Sequence, residues 1–194
     1  MVTDGAARAP RGPGGAILPP GVVLRDVLVV SDARGLLVEL DRLSWHGAEA
    51  PRQWNVMVSG GNTLRGLHVH LRHTDWIAGV AGEAVVGLVD LRGEPGTGRQ
   101  VTVRLSADPV RVLTIPPGVL HGIYTPQSSV LLNGLSREYD PDDDLAVRFD
   151  DPAIALGWDV TDPVLSDRDR HAPTITSLRD QLDRRGLALP EPGE

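Results

Sequence analysis

The sequence predicts an all-β domain, a barrel or sandwich of short strands followed by one short C-terminal helix. Three observations carry this reading. Gly and Pro number 22 and 16 in 194 residues, about a fifth of the chain against roughly an eighth in average usage. Short runs rich in Val, Leu and Ile recur along residues 21–135. Turn signals separate them, as in Ser59-Gly60-Gly61-Asn62, Ala81-Gly82-Glu83, Pro95-Gly96-Thr97-Gly98 and Asp108-Pro109. Many short strands punctuated in this way suit a barrel or a two-sheet sandwich, and the length corresponds to one domain.

Residues 1–20, MVTDGAARAPRGPGGAILPP, are small and aperiodic and are expected to form a flexible arm, packed if at all on a neighbouring subunit. Strands are expected at 22–30, 36–40, 54–58, 66–71, 84–91, 101–105, 110–115 and 130–135. Residues 139–172 are rich in Asp and Pro and are expected to form a long ordered loop over the barrel. Residues 177–185 read as a helix, with Leu178 and Leu182 one turn apart and Gly186 as the stop. The chain thus divides into an arm (1–20), one domain (21–173) and a helix with tail (174–194).

Composition excludes several functions. The net charge is −7 with no basic run, which disfavours nucleic acid. No apolar run approaches the roughly 20 residues that span a bilayer, and the start lacks a basic-then-apolar signal; a soluble, cytoplasmic protein is expected. Cysteine is absent, which rules out disulfides and thiol catalysis. All 19 basic residues are arginine, so no lysine can form a Schiff base.

The chemistry gathers at histidines. Residues i and i+2 of a strand share a face, so His68 and His70 project together if 66–71 is a strand. Asp75 follows in H-x-H-x4-D-x6-G, and Pro116-Pro117-Gly118-Val119-Leu120-His121 supplies P-x-G-x-x-H. His68, His70, Asp75 and His121 can converge inside a barrel as three nitrogens and one oxygen with open positions, suited to Fe, Mn, Ni, Co or Zn. The competing reading is a pocket of hydrogen-bonded, metal-free histidines. His73 and His171 are expected at the surface, and His46 beside Trp45 in a loop. The two motifs together resemble those of the metal-binding cupins, with Asp75 where cupins usually place Glu; that resemblance implies a cupin-type double-stranded β-helix, the jelly-roll barrel.

A closer resemblance covers roughly residues 21–173. Arg34-Gly35 with Glu39, Gln53-x-Asn55, Arg65-Gly66-Leu67-His68, Val89-Asp90-Leu91-Arg92, Pro117-Gly118-x-x-His121-Gly122, Tyr139-Asp140-Pro141, Asp151-Pro152 with Trp158, and Leu165-Ser166-x-x-Asp169 occur in order. With these residues the chain resembles the dTDP-4-dehydrorhamnose 3,5-epimerase family, dimeric cupins acting on nucleotide-linked 4-keto-6-deoxy sugars. The resemblance implies that His68 is the general base, oriented by Asp169, and that Arg34, Glu39, Gln53, Asn55, Arg65, Asn133 and Arg168 contribute to substrate binding. Guanidinium forks match phosphate geometry, although Arg34 and Arg65 could equally be structural ion pairs. Ser166-x-x-Asp169 also has capping-box spacing, so Asp169 could serve only the helix start. A homodimer and a dTDP-sugar substrate follow from the resemblance alone.

The chain departs from the family where the chemistry would be. Relatives carry Gln at the position of His70, Lys at that of Asp75 and the catalytic Tyr at that of Asn133; Tyr139 is retained, and Arg168 replaces a common Lys. Epimerisation beside a ketone passes through an enolate, whose oxygen needs positive charge. Exchanging an ammonium for a carboxylate at about 4 Å, at an effective dielectric near 20, is a swing of about 8 kcal/mol, about six decades in rate. A divalent metal on three neutral histidines and Asp75 would restore a net +1. The sequence thus predicts a metal-dependent isomerase in which the metal polarises the carbonyl. His68 is then either a ligand backed by Asp169, with Tyr139 moving the proton, or the base, with the metal left to the other three residues. Two other readings stay open: a metal-dependent cupin oxygenase or lyase on a small metabolite, and a non-catalytic family member.

Overall fold

The computed structural model describes residues 17–191 other than 47, 48, 94, 95 and 97. Among these residues two five-stranded antiparallel sheets face each other as a jelly-roll. The first runs β1(Val23–Asp26), β9(Arg111–Ile115), β6(Asp75–Ala81), β11(Ser129–Leu135), β4(Gln53–Ser59). The second runs β12(Leu145–Ala146), β5(Thr63–Val69), β10(Val119–Thr125), β7(Glu83–Asp90), β8(Gln100–Ser106). A separate hairpin pairs β2(Leu28–Asp32) with β3(Gly35–Glu39). The cupin-type barrel implied by the sequence is therefore the observed architecture.

The inner faces of the sheets make the main core, with Ile77, Val86, Leu88, Leu105, Leu113 and Leu131 fully buried. A second cluster lies outside the second sheet, where Leu67, Val69 and Leu120 meet Leu178 and Leu182 of the C-terminal helix α2(Ile175–Arg185). Two leucines one turn apart give that helix its single apolar stripe. Thr174 caps its first turn through Ser177 N–H, and Gly186, at φ 63°, ends it in the left-handed conformation that glycine adopts without strain.

Several expectations needed correction. The run at 22–30 is two strands, because β1 joins the first sheet while β2 turns away into the hairpin. The arm does not extend to residue 20: Leu18 is 2 % exposed and belongs to the core, and Arg92 donates to the Pro20 carbonyl. Residues 1–16 of that arm lie outside the described part. Residues 139–172 include β12 and the short helix α1(Asp167–Arg170). The strands β6 and β10 had no place among the apolar runs. Both are central, each hydrogen-bonded on two sides, and buried on both faces along most of their length. A doubly buried strand loses the apolar–polar alternation that marks a half-exposed one, and His121, Gly79 and Gly122 interrupt the apolar run.

Candidate functional site

A cavity of about 490 Å³ lies between the sheets, walled by β4, β6 and β11 on one side and by β5 and β10 on the other. His68, His70, Asp75, His121, Asn55, Arg65, Asn133, Tyr139 and Asp169 all face it.

His68 stands on β5 directly opposite His121 of β10. Its Nε2 lies 2.7 Å from Oδ1 of Asp169, a residue of α1 only 6 % exposed. Ser166 Oγ caps α1 by accepting the Asp169 backbone N–H at 3.1 Å, which leaves the Asp169 side chain free to hold His68. Burial is the largest influence on Asp169 and works against its ionisation, yet His68, Ser166 and the Gly66 N–H together outweigh it and keep the carboxyl below its ordinary range. The arrangement depends on Gly66. At φ 101° it lies in the glycine-favouring region, a Cβ there would stand 2.8 Å from the His121 carbonyl oxygen, and its N–H donates to Asp169 Oδ2 at 3.3 Å. Gly66→Ala is expected to push β5 from β10 and lower stability by about 2–3 kcal/mol; a melting temperature within 1–2 °C of the parent, roughly, would contradict this.

Beside this pair lies a buried cluster. Asp75 is 1 % exposed and its oxygens meet no close hydrogen bond, although the Asn133 amide beside it favours the ionised carboxylate. Its Oδ2 is 3.6 Å from Nε2 of His70, 3.7 Å from Nε2 of His73 and 3.8 Å from Nε2 of His121. His73, expected at the surface, is 2 % exposed and stacks on His70 with ring centroids 4.0 Å apart. Burial pushes the imidazoles of His70 and His121 down and the Asp75 carboxyl up.

His68 is not part of this cluster. Its Nε2 is engaged by Asp169, and its Nδ1 lies 3.6 Å from Asp144 Oδ1. Asp144 also receives Arg168, through a short contact from Nη1 to its carboxylate and a 2.6 Å bond to its carbonyl. Burial opposes the ionisation of Asp144, but Arg168, His68 and His70 pull its pKa down to about 2. The Tyr139 hydroxyl donates to the other Asp144 oxygen at 3.2 Å.

Arg34 and Glu39 are not brought to the cavity. Both sit on the β2–β3 hairpin, Arg34 paired with Asp32 at 2.6 Å and Glu39 with Arg42. Gln53 holds Asn55 and accepts the Tyr139 N–H, so it supports the wall rather than lining it. Arg168 acts through Asp144. Sequence reasoning missed Asp143, Asp144 and the placement of His73. Asp142-Asp143-Asp144 reads as a solvated acidic run, and only the folding of this segment back over β5 buries two of the three. Asp143, 2 % exposed, accepts from Leu71 N–H at 2.9 Å and holds His73 Nδ1 at 2.9 Å.

The profile of the dTDP-4-dehydrorhamnose 3,5-epimerase family matches residues 18–177. The chain is 33 % identical over 163 residues to the dTDP-4-dehydrorhamnose 3,5-epimerase of Mycobacterium tuberculosis H37Rv, covering 76 % of this chain and 80 % of that one. Among solved structures it is similar to the 3,5-epimerase RmlC of Legionella pneumophila in complex with dTDP-4-keto-L-rhamnose (TM-score 0.77, 25 % identity, 88 % and 93 % of the two chains). It is equally similar to the 3′-monoepimerase ChmJ of Streptomyces bikiniensis in complex with dTDP-quinovose (TM-score 0.77, 27 % identity, 93 % and 92 %). No helix among the described residues is long and apolar enough to cross a membrane.

Proposed function

The chain belongs to the dTDP-4-dehydrorhamnose 3,5-epimerase family, and from that membership we propose that it inverts a carbon beside the ketone of a dTDP-linked 4-keto-6-deoxy sugar, with His68 as the general base. The observation that carries this reading is the 2.7 Å bond between His68 and Asp169 at the cavity wall. Nε2 donates its proton to the carboxylate, so Nδ1 keeps a lone pair that can take a proton from the carbon. The imidazolium then formed is flanked by Asp169 and Asp144. The electron pair moves onto the ketone oxygen, and a proton returned to the opposite face of the carbon completes the inversion.

Tyr139 is the assigned donor of that second proton. Burial and the neighbouring Asp144 raise its pKa, so the phenol keeps its proton at neutral pH. Tyr139→Phe is expected to slow epimer formation by about tenfold to a hundredfold while His68 still exchanges the substrate proton with solvent; equal loss of both, read by NMR in D2O, would remove the assignment. Asn55 and Arg65 face the sugar nucleotide. Arg65 donates to Ser59 Oγ and the Val58 carbonyl, which fixes its fork and leaves its other N–H groups for phosphate oxygens. The positive charge that the ketone oxygen needs is assigned to a divalent transition metal, which when bound polarises a carbonyl as a Lewis acid.

Incubation with dTDP-4-keto-6-deoxyglucose, followed by borohydride reduction and identification of the hexoses, tests the reaction. A 3- or 5-epimer is expected; recovery of the starting configuration alone would overturn it. A cytoplasmic role in natural-product or cell-surface glycan synthesis fits such a product.

A homodimer is part of this reading. Leu28, Val30, Leu36 and Leu37 of the hairpin and Trp54, Val56 and Val58 of the edge strand β4 are between 45 and 68 % exposed. Apolar surface of this extent on an open sheet edge suits a protein partner, and a second copy would also offer Arg34 and Glu39 to a cavity. Val56→Glu with Val58→Glu is expected to halve the mass measured by light scattering; a parent protein that is already monomeric would contradict it.

A further inference from the structure

We infer that His70, His73, Asp75 and His121 form a divalent transition-metal site separate from the His68–Asp169 pair. His70 Nδ1 bonds the Asp143 carbonyl at 3.2 Å, His73 Nδ1 bonds the Asp143 carboxylate at 2.9 Å, and His121 Nδ1 bonds the Val119 carbonyl at 3.1 Å. All three partners are acceptors only, so each ring carries its proton on Nδ1. Each Nε2 is then a bare lone pair, and all three stand around one oxygen of Asp75. Three lone pairs and a carboxylate contain no proton to share among themselves, the Asn133 amide is the neighbouring donor for the carboxylate, and the 3.6–3.8 Å separations exceed hydrogen-bond length. Burying such a group without partners is unfavourable, and a cation accepting its lone pairs removes that penalty. His70, His73 and Asp75 each offer one donor atom within 4.8 Å of the other two, a spread that one ion can gather, and His121 Nε2, 3.8 Å from the same Asp75 oxygen, stands beside them as the further donor.

The carbonyl and carboxylate partners on Nδ1 are what metal-bound imidazoles require to fix their tautomer. Asp143 supplies two of them, one from its backbone and one from its side chain, which explains why an acidic residue is buried there. Nitrogen-rich ligation with one carboxylate suits Zn, Fe, Mn, Ni or Co over Mg or Ca. The ligand set differs from the one expected by sequence spacing: His73 takes the place assigned to His68, which frees His68 to be a base. This inference deepens the proposed function, since three neutral imidazoles, one carboxylate and a dication leave a net +1 beside the cavity, and for that consequence it rests on that reading.

The test uses untagged full-length protein. Protein purified without chelator is expected to carry about one transition metal per chain by elemental analysis. After stripping, added Zn2+ or Mn2+ is expected to raise the melting temperature by roughly 5 °C or more, and His68→Asn is expected to respond in the same way. Asp75→Asn, whose amide supplies the missing donor and so should fold, and His73→Gln are each expected to weaken binding by about a hundredfold or more. Absence of binding by the parent at millimolar Zn2+ and Mn2+, or undiminished binding by both variants, would overturn the site. A protein that binds metal but makes no epimer keeps this site and loses the proposed function; one that makes epimer without taking up metal loses this site and the metal's share of the mechanism and keeps the epimerase with His68 as its base.

Discussion

His68→Asn is expected to lower kcat by about a thousandfold with the melting temperature little changed. Asparagine is the informative replacement because its amide can still donate toward Asp169, so the buried carboxylate is not stranded. What is lost is the lone pair on Nδ1 and with it any group placed to take the proton. Binding of the sugar nucleotide should survive, since Arg65 and Asn55 are held independently by Ser59, Val58 and Gln53. The expected signature is therefore a fall in kcat with KM nearly constant, which separates loss of the base from a collapsed site. Retention of more than about a tenth of the parent rate would assign proton abstraction elsewhere.

Asp169→Asn is expected to be almost as damaging, about a thousandfold or more, although Asp169 is a positioning residue that acts through His68. A carboxylate accepts the Nε2 proton; an amide can instead donate to that nitrogen. The ring would then carry its proton on Nδ1, the nitrogen beside Asp144, with no lone pair left for the substrate. The same inversion of tautomer in a Ser-His-Asp triad costs about four decades in rate. Ring 15N shifts of His68 report the tautomer directly and would not move if Asp169 were merely structural. Asp169→Glu, which keeps an acceptor, is expected to recover part of the rate. Loss of activity without a change of tautomer would reduce Asp169 to the capping role it also plays with Ser166.

The sequence made the jelly-roll and the epimerase likeness legible because both rest on local features. Turn residues, apolar runs and ordered motifs such as Arg65-Gly66-Leu67-His68 sit in contiguous stretches. The pairing of His68 with Asp169 was legible as well, although 101 residues separate them, because the family resemblance rests on motifs at both ends. The buried cluster was legible only in part. Strand spacing selected His68 with His70, but β5 ends at Val69, so His70 already lies on the turn, where period-two alternation no longer applies. That turn carries His73 inward against Asp143, and nothing in Leu71-Arg72-His73-Thr74 signals a buried imidazole. Asp144 was hidden for the same reason: its surroundings are made by a segment folding across the sheet. Arg34 and Glu39 show the reverse case, in which a motif named residues that one chain's fold leaves away from the cavity.

Inversion by His68 requires abstraction of a carbon-bound proton next to the substrate ketone. Incubating the enzyme with dTDP-4-keto-6-deoxyglucose in D2O and following the sugar by NMR measures that event directly. One solvent deuterium at each inverted carbon is the predicted result, with exchange abolished in His68→Asn. Substrate that equilibrium dialysis shows to be bound, yet that returns with its original hydrogens in place, would contradict the account.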